Sequence, residues 1–125
     1  MTGHLAIKRV YEPFDGGDGF RVLVDRLWPR GLSKAGAHVD YWARAIAPSR
    51  DLRQWFGHDP EKWPEFRQRY GAELRENGAE WLAFRAELAR HGEGVTLLYA
   101  ARDSLHNHAL LLRDYLRNSW SDPEG

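Results

Sequence analysis

The spacing of apolar residues changes along the chain, and each change marks a strand or a helix. Leu5 to Tyr11 alternates weakly and reads as a strand, ended by Pro13 and the turn-forming stretch Asp15-Gly16-Gly17-Asp18-Gly19. Phe20 to Leu27 (FRVLVDRL) is nearly continuous in its apolar middle, as a strand covered on both faces should be, and Trp28-Pro29-Arg30-Gly31 breaks it. Leu32 to Ala47 fits a short helical piece at Ser33 to Ala37 and an edge strand from Val39 to Ile46. Pro48-Ser49 offers an N-cap to a short amphipathic helix bearing Leu52, Trp55 and Phe56, which Gly57 stops. Asp59-Pro60 restarts the helical pattern, with Trp63, Phe66, Tyr70 and Leu74 on one stripe and Pro64 as the expected start of regular helix. After Asn77-Gly78 a second stripe of Trp81, Phe84 and Leu88 runs to Gly92. Val95 to Ala100 is a second buried strand, and Asn107 to Arg117 a last helix carrying Leu111, Leu112, Tyr115 and Leu116.

A strand, a long helical crossover and a second buried strand make a βαβ unit, which is right-handed in nearly all proteins. The predicted fold is therefore α/β: a small, mostly parallel sheet with helices packed on it in a Rossmann-like βαβ organisation. One domain is expected over residues 5–117, followed by a flexible tail at 118–125. In open parallel sheets ligands bind outside the carboxyl ends of the strands, where the loops diverge. That rule selects two loops, Asp25 to Gly31 and Ala101 to His108.

Composition narrows the chemistry. A chain of 125 residues with 42% hydrophobic residues and six Trp can build one aromatic-rich core without disulfides or a structural metal. The absence of Cys excludes disulfide scaffolds, thiolate zinc sites and cysteine nucleophiles. No segment approaches the roughly 18 apolar residues of a membrane span, and the N-terminus lacks the pattern of a signal peptide. A cytoplasmic protein without membrane association is expected. Eighteen basic residues balance eighteen acidic ones, so no global field draws nucleic acid or anionic lipid, and no partner of either kind is expected. Any anion binding must be local, and a homo-oligomer is compatible with these features. Fifteen of the eighteen basic residues are Arg, whose planar fork suits oxyanions.

The first loop holds Asp25, Arg26, Trp28, Arg30 and Gly31. Asp25 and Arg26 fall on opposite faces at a strand end, so at least one meets packed protein and needs a partner; a structural ion pair and a functional role both satisfy that need. Arg30 sits on a stiff turn whose glycine lets a ligand approach the backbone. Trp28 suits a pocket wall or the core. The second loop, after Tyr99, reads Ala101-Arg102-Asp103-Ser104-Leu105-His106-Asn107-His108. Asp103 or Asn107 can cap the last helix. His106 and His108 would share a face on a strand but splay apart at a helix start, which disfavours a bidentate metal site. His58, in the Gly57-His58-Asp59-Pro60 link, satisfies local carbonyls or, if the link folds over the strand ends, serves as acid or base.

Several of these stretches also carry a resemblance. The pieces Lys8-Arg9-Val10-Tyr11, RVLVDRLWPRG at 21–31, LRQWFGHDP at 52–60, LLYAARD at 97–103 and HNHA at 106–109 resemble the YeaO-like branch of a bacterial family, domain of unknown function 488. The likeness spans about residues 5 to 117 and implies a small standalone cytoplasmic α/β protein, without specifying an activity. Longer members of the wider family carry cysteines after the last strand, where this chain has Ala101-Arg102-Asp103. A thiol-based role therefore does not transfer to it.

The leading functional expectation is a pocket for a small anionic, phosphorylated or nucleotide-like ligand, with no cofactor or resident metal. Arg26, Arg30 and Arg102 beside the last helix would hold the anion, with Trp28, Gly31, Tyr99, Asn107 and His108 completing the ligand-binding set. Any proton transfer would fall to Asp25, His58, Asp103 and His106. Two alternatives come from other classes: metal-assisted hydrolysis through the His-Asn-His segment, and a non-enzymatic interaction module with Trp42 or Trp120 on an exposed face.

Overall fold

The computed structural model describes residues 4–92 and 94–121. Strands β1 (His4–Arg9), β2 (Phe20–Leu23), β3 (Tyr41–Trp42) and β4 (Gly94–Tyr99) form one parallel sheet in the order β1-β4-β2-β3. The small α/β fold expected from the sequence is thus the fold of the protein. The last strand in the chain lies between the first two, where its apolar run gains a neighbour on each edge and a layer on each face. Val95, Leu97 and Leu98 are accordingly buried.

Helices α1 (Lys34–Ala37), α2 (Arg50–Phe56), α3 (Trp63–Glu76), α4 (Gly78–Ala89) and α5 (His108–Ser121) connect and cover the strands. The capping signals act as written in the sequence. Ser49 Oγ accepts from the Leu52 amide at 3.1 Å, and Gly57 ends α2 in the left-handed region. Asp59 caps a 3-10 turn, Pro60–Lys62, that leads straight into α3. Regular helix consequently begins at Trp63, and Pro64 is accepted in the first turn, where its missing N–H costs no helical bond.

Three boundaries differ from the sequence pattern. Strand β2 ends at Leu23 instead of Leu27: Val24 N–H still donates to Leu98 O at 3.0 Å, after which Asp25 leaves the ladder to make side-chain bonds. The edge strand expected over 39–46 shrinks to Tyr41–Trp42 and gives way to a 3-10 turn, Arg44–Ile46. Helix α5 continues past Arg117 to Ser121, while residues 122–125 of the expected tail lie outside the described residues.

One face of the sheet meets the helical layer, where Val22, Val24, Val95 and Leu97 pack with Phe66, Tyr70, Phe84 and Leu112. On the other face Val10, Leu23 and Leu98 pack under Trp28, Leu32, Val39 and Trp42. Trp42 is half-buried there, edge-on to Trp28 at 5.4 Å and donating from Nε1 to Asp25 O at 2.8 Å. Its ring packs partly against Trp28, and the Trp120 side chain lies outside the described residues. No helix among the described residues is long and apolar enough to cross a membrane.

Glycine is required at two close approaches. A Cβ on Gly19, whose φ is +71°, would lie 2.5 Å from Gly94 O at the start of β4. A Cβ on Gly71 would fall 2.1 Å from the Tyr115 hydroxyl, so a side chain there would displace the Tyr115 ring between α3 and α5.

The second face also buries a charge cluster. Arg21, 1% exposed, pairs with Asp18 and donates to His38 O at 2.9 Å and Ala37 O at 3.0 Å, while Lys8 Nζ reaches Asp18 at 3.0 Å. Burial pushes the Asp18 carboxyl upward, but hydrogen bonds from Lys8, the backbone and Arg21 outweigh it and hold the group below its ordinary value. A depressed carboxyl stabilises the fold fully above the unfolded value of about 3.9, and that stabilisation is lost as pH falls through the lower folded value. Replacing Asp18 with Asn should cost about 3 kcal/mol, because Arg21 stays buried without its counter-charge. Urea unfolding between pH 7 and pH 2 checks this: the acid limb should be steeper in the wild type than in Asp18→Asn, and parallel limbs would remove Asp18 from the account.

Candidate functional site

The loops leaving β2 and β4 open onto one cleft of about 1320 Å3 at the carboxyl edge of the sheet. What joins them is Asp25. Its Oδ2 accepts the Ala100 amide, 75 residues away in sequence, at 3.0 Å. Its buried Oδ1 lies 3.1 Å from His108 Nε2, the first residue of α5. The Nε2 hydrogen is directed at Val24 O, 2.9 Å away, so the Asp25–His108 contact is chiefly electrostatic. Two acceptors facing Nε2 require that nitrogen to carry the proton.

Helix α2 forms the opposite wall and is pinned in three ways. Arg26 donates to Pro48 O at 3.1 Å and Ala47 O at 3.2 Å, Tyr70 hydroxyl donates to Ile46 O at 2.6 Å, and the Ser49 amide and hydroxyl donate to the Glu73 carboxylate. Arg26 and Asp25 therefore have separate partners and do not form an ion pair with each other.

The Asp103 loop is held locally. Asp103 Oδ1 accepts the Leu105 and His106 amides at 2.9 and 3.0 Å, and Oδ2 meets His106 Nδ1 at 2.9 Å. The Leu105 amide, then the His106 side chain, hold the Asp103 carboxyl below its ordinary value. With Nδ1 engaged by Asp103, Nε2 is the ring nitrogen of His106 left for another partner. Asn107, 3% exposed, caps α5 by accepting the Leu110 amide and donates to Asp103 O.

The structure brings Asp25, Arg26, Arg30, His58, Arg102 and the Asp103, His106, Asn107, His108 group to this one cleft. His58 reaches it from the exposed, left-handed position after Gly57. Three expected residues do not line it. Trp28 turns inward to Trp42 and donates to Leu32 O at 2.7 Å. Gly31 occupies an exposed turn with φ +80°. Tyr99 points into the helical core, where burial, with Glu12 adding to it, raises its hydroxyl. His106 and His108 turn to different partners, and no three His, Asp or Glu side chains among the described residues gather as a metal site.

Sequence reasoning missed Arg9, Tyr11, Arg50, Arg53 and Gln54, all of which line the cleft. Arg50, Arg53 and Gln54 fall at i, i+3 and i+4 on α2, a legible polar face, but only the tertiary fold turns that face to the strand ends. Six of the fifteen arginines thus surround one space with two aspartates, each aspartate already engaged by a histidine. Arg9 is spent on Ala100 O and Ala101 O, and Arg26 on the α2 entry. The side chains of Arg30, Arg50, Arg53 and Arg102 have no hydrogen bond or ion pair within the described residues.

The chain matches, over residues 4–124, the family described as the inactive DUF488-N3 subclade. It is 42% identical over 115 residues to the uncharacterised protein YeaO of Escherichia coli, an alignment covering 92% of this chain and 98% of that one. It is also 42% identical over 110 residues to the uncharacterised protein Rv3073c of Mycobacterium tuberculosis, covering 88% and 91% of the two chains. No solved structure matches it significantly.

The Asp25 tie makes a direct prediction. Asp25→Ala leaves the Ala100 amide and His108 without their shared carboxylate and should cost about 2 kcal/mol. In hydrogen exchange the Ala100 amide should lose protection more than the Leu97 amide deep in β4. Unchanged exchange at Ala100 would mean that the loops are held together by something else.

Proposed function

The chain belongs to the YeaO-like DUF488 family, and from that premise we propose that it binds a small anionic, phosphorylated ligand at the strand carboxyl ends. The observation that carries this reading is the set of four arginines, Arg30, Arg50, Arg53 and Arg102, that line the cleft with no side-chain partner among the described residues. Like charges around one space repel, and an anion shared between their forks relieves that repulsion while forming charge-assisted, bidentate bonds. The overall charge balance leaves this a local attraction, with no broad basic surface needed to account for it.

Binding is favoured over catalysis. The subclade that the chain matches is described as inactive. His106, with Nδ1 turned to Asp103, has Nε2 left to hydrogen-bond a phosphate oxygen or a hydroxyl.

Isothermal titration with inorganic pyrophosphate at low ionic strength tests the reading. Each of Arg50→Ala, Arg53→Ala and Arg102→Ala should weaken binding about tenfold or more, as loss of a hydrogen bond to a charged group does. Arg90→Ala, outside the cleft, should change nothing. No heat and no rise in melting temperature with pyrophosphate would overturn the proposal.

A further inference from the structure

The cleft offers more than a bare oxyanion can use, and from this we infer that its ligand is a nucleotide with two or more phosphates, of the nucleoside diphosphate class. The inference rests on the anion-binding reading above and specifies it.

Size is the first reason. About 1320 Å3 lies at or beyond the upper end of the ~300–1,000 Å3 typical of small-molecule sites, so inorganic phosphate would leave most of it to water. The distribution of charge is the second. The four arginines without a side-chain partner among the described residues come from three separate elements: Arg30 from the β2 loop, Arg50 and Arg53 from successive turns of α2, and Arg102 from the β4 loop. Each guanidinium presents a fork of donors, and two phosphates in series spread their acceptor oxygens over more of these separate walls than one phosphate does.

The third reason is an apolar wall beside the charge. Leu27 is 60% exposed and Tyr11 39% exposed, and both border the cleft. Tyr11 is not a loose surface ring. Its hydroxyl donates to Arg30 O at 2.8 Å, and the Arg9 guanidinium covers one ring face at 4.7 Å. A rigid exposed aromatic next to arginines suits a flat, electron-rich base. Gln54 supplies the remaining element: its amide, four residues on from Arg50 along α2, has no partner among the described residues and can donate to and accept from a base edge. Phosphates on the arginines and a base against Tyr11 and Leu27 account for the charge and the exposed apolar wall together.

Titration of the full chain at one ionic strength with inorganic pyrophosphate, adenosine, AMP, ADP, UDP and a single-stranded twelve-nucleotide DNA tests this. ADP or UDP should bind about tenfold tighter than AMP and than pyrophosphate, and adenosine should bind weakest. Tyr11→Ala should weaken the better diphosphate about tenfold while leaving pyrophosphate unchanged, and Tyr11→Phe, which keeps the ring, should stay within about twofold of wild type. Circular dichroism on both variants excludes unfolding as the cause. If pyrophosphate binds as tightly as both diphosphates, or Tyr11→Ala is silent, the nucleotide inference fails and the anion reading stands. If the oligonucleotide binds tightest, the ligand is nucleic acid and the inference is also overturned. If no anion binds, both fall together.

Discussion

One carboxylate links the end of β2 to the first residue beyond β4 and to the start of α5, adding to the pairing of the two strands and to the contact of His108 with Val24 O. Asp25 leaves β2 where the ladder ends, turns across to the first amide beyond β4 and faces the first side chain of α5. The loops after two adjacent parallel strands diverge by geometry, and a polar group between them must be paired or hydrated. Asp25 satisfies the Ala100 amide and sets the position of His108, so the Asp103–His106 loop and the Arg26–Arg30 loop stand on one foundation. Everything proposed for the cleft depends on that spacing.

Around this tie the protein segregates its charge. Arg21 and Asp18, on the far face, neutralise each other in a packed interior, as buried charges must. At the carboxyl edge the pattern is inverted: the aspartates are spent on histidines and backbone amides, and four of the six arginines have no side-chain partner among the described residues. Arg30, Arg50, Arg53 and Arg102 are exposed, so hydration makes their proximity tolerable, and the arrangement is most economically understood as complementary to an anion. Helix α2, which supplies two of them, is anchored by Arg26, Tyr70 and Glu73, none of which needs to release its partner for a ligand to bind.

Much of the architecture was legible because local signals and tertiary packing agree. Ser49, Gly57 and Asp59 cap and end the elements that they mark, and the VTLLY run is the central strand that its apolar continuity implies. The strand-end rule also points to both loops of the cleft. What the pattern could not show was orientation. Nothing local to Arg50, Arg53 or Gln54 says whether a polar helix face meets solvent or a neighbouring loop, and Arg9 reaches the cleft only because β1 pairs with β4. Conversely, Trp28 and Tyr99 sit beside cleft residues in sequence, but Trp28 turns to the Trp42 side of the sheet and Tyr99 into the helical layer.

The most direct test of the account is nitrogen-15 NMR of the arginine Nε–H groups during a pyrophosphate titration. The account predicts that Arg30, Arg50, Arg53 and Arg102 shift together along one saturable curve, while Arg75 and Arg90, outside the cleft, stay fixed. Shifts spread evenly over all arginines, or none at all, would contradict it.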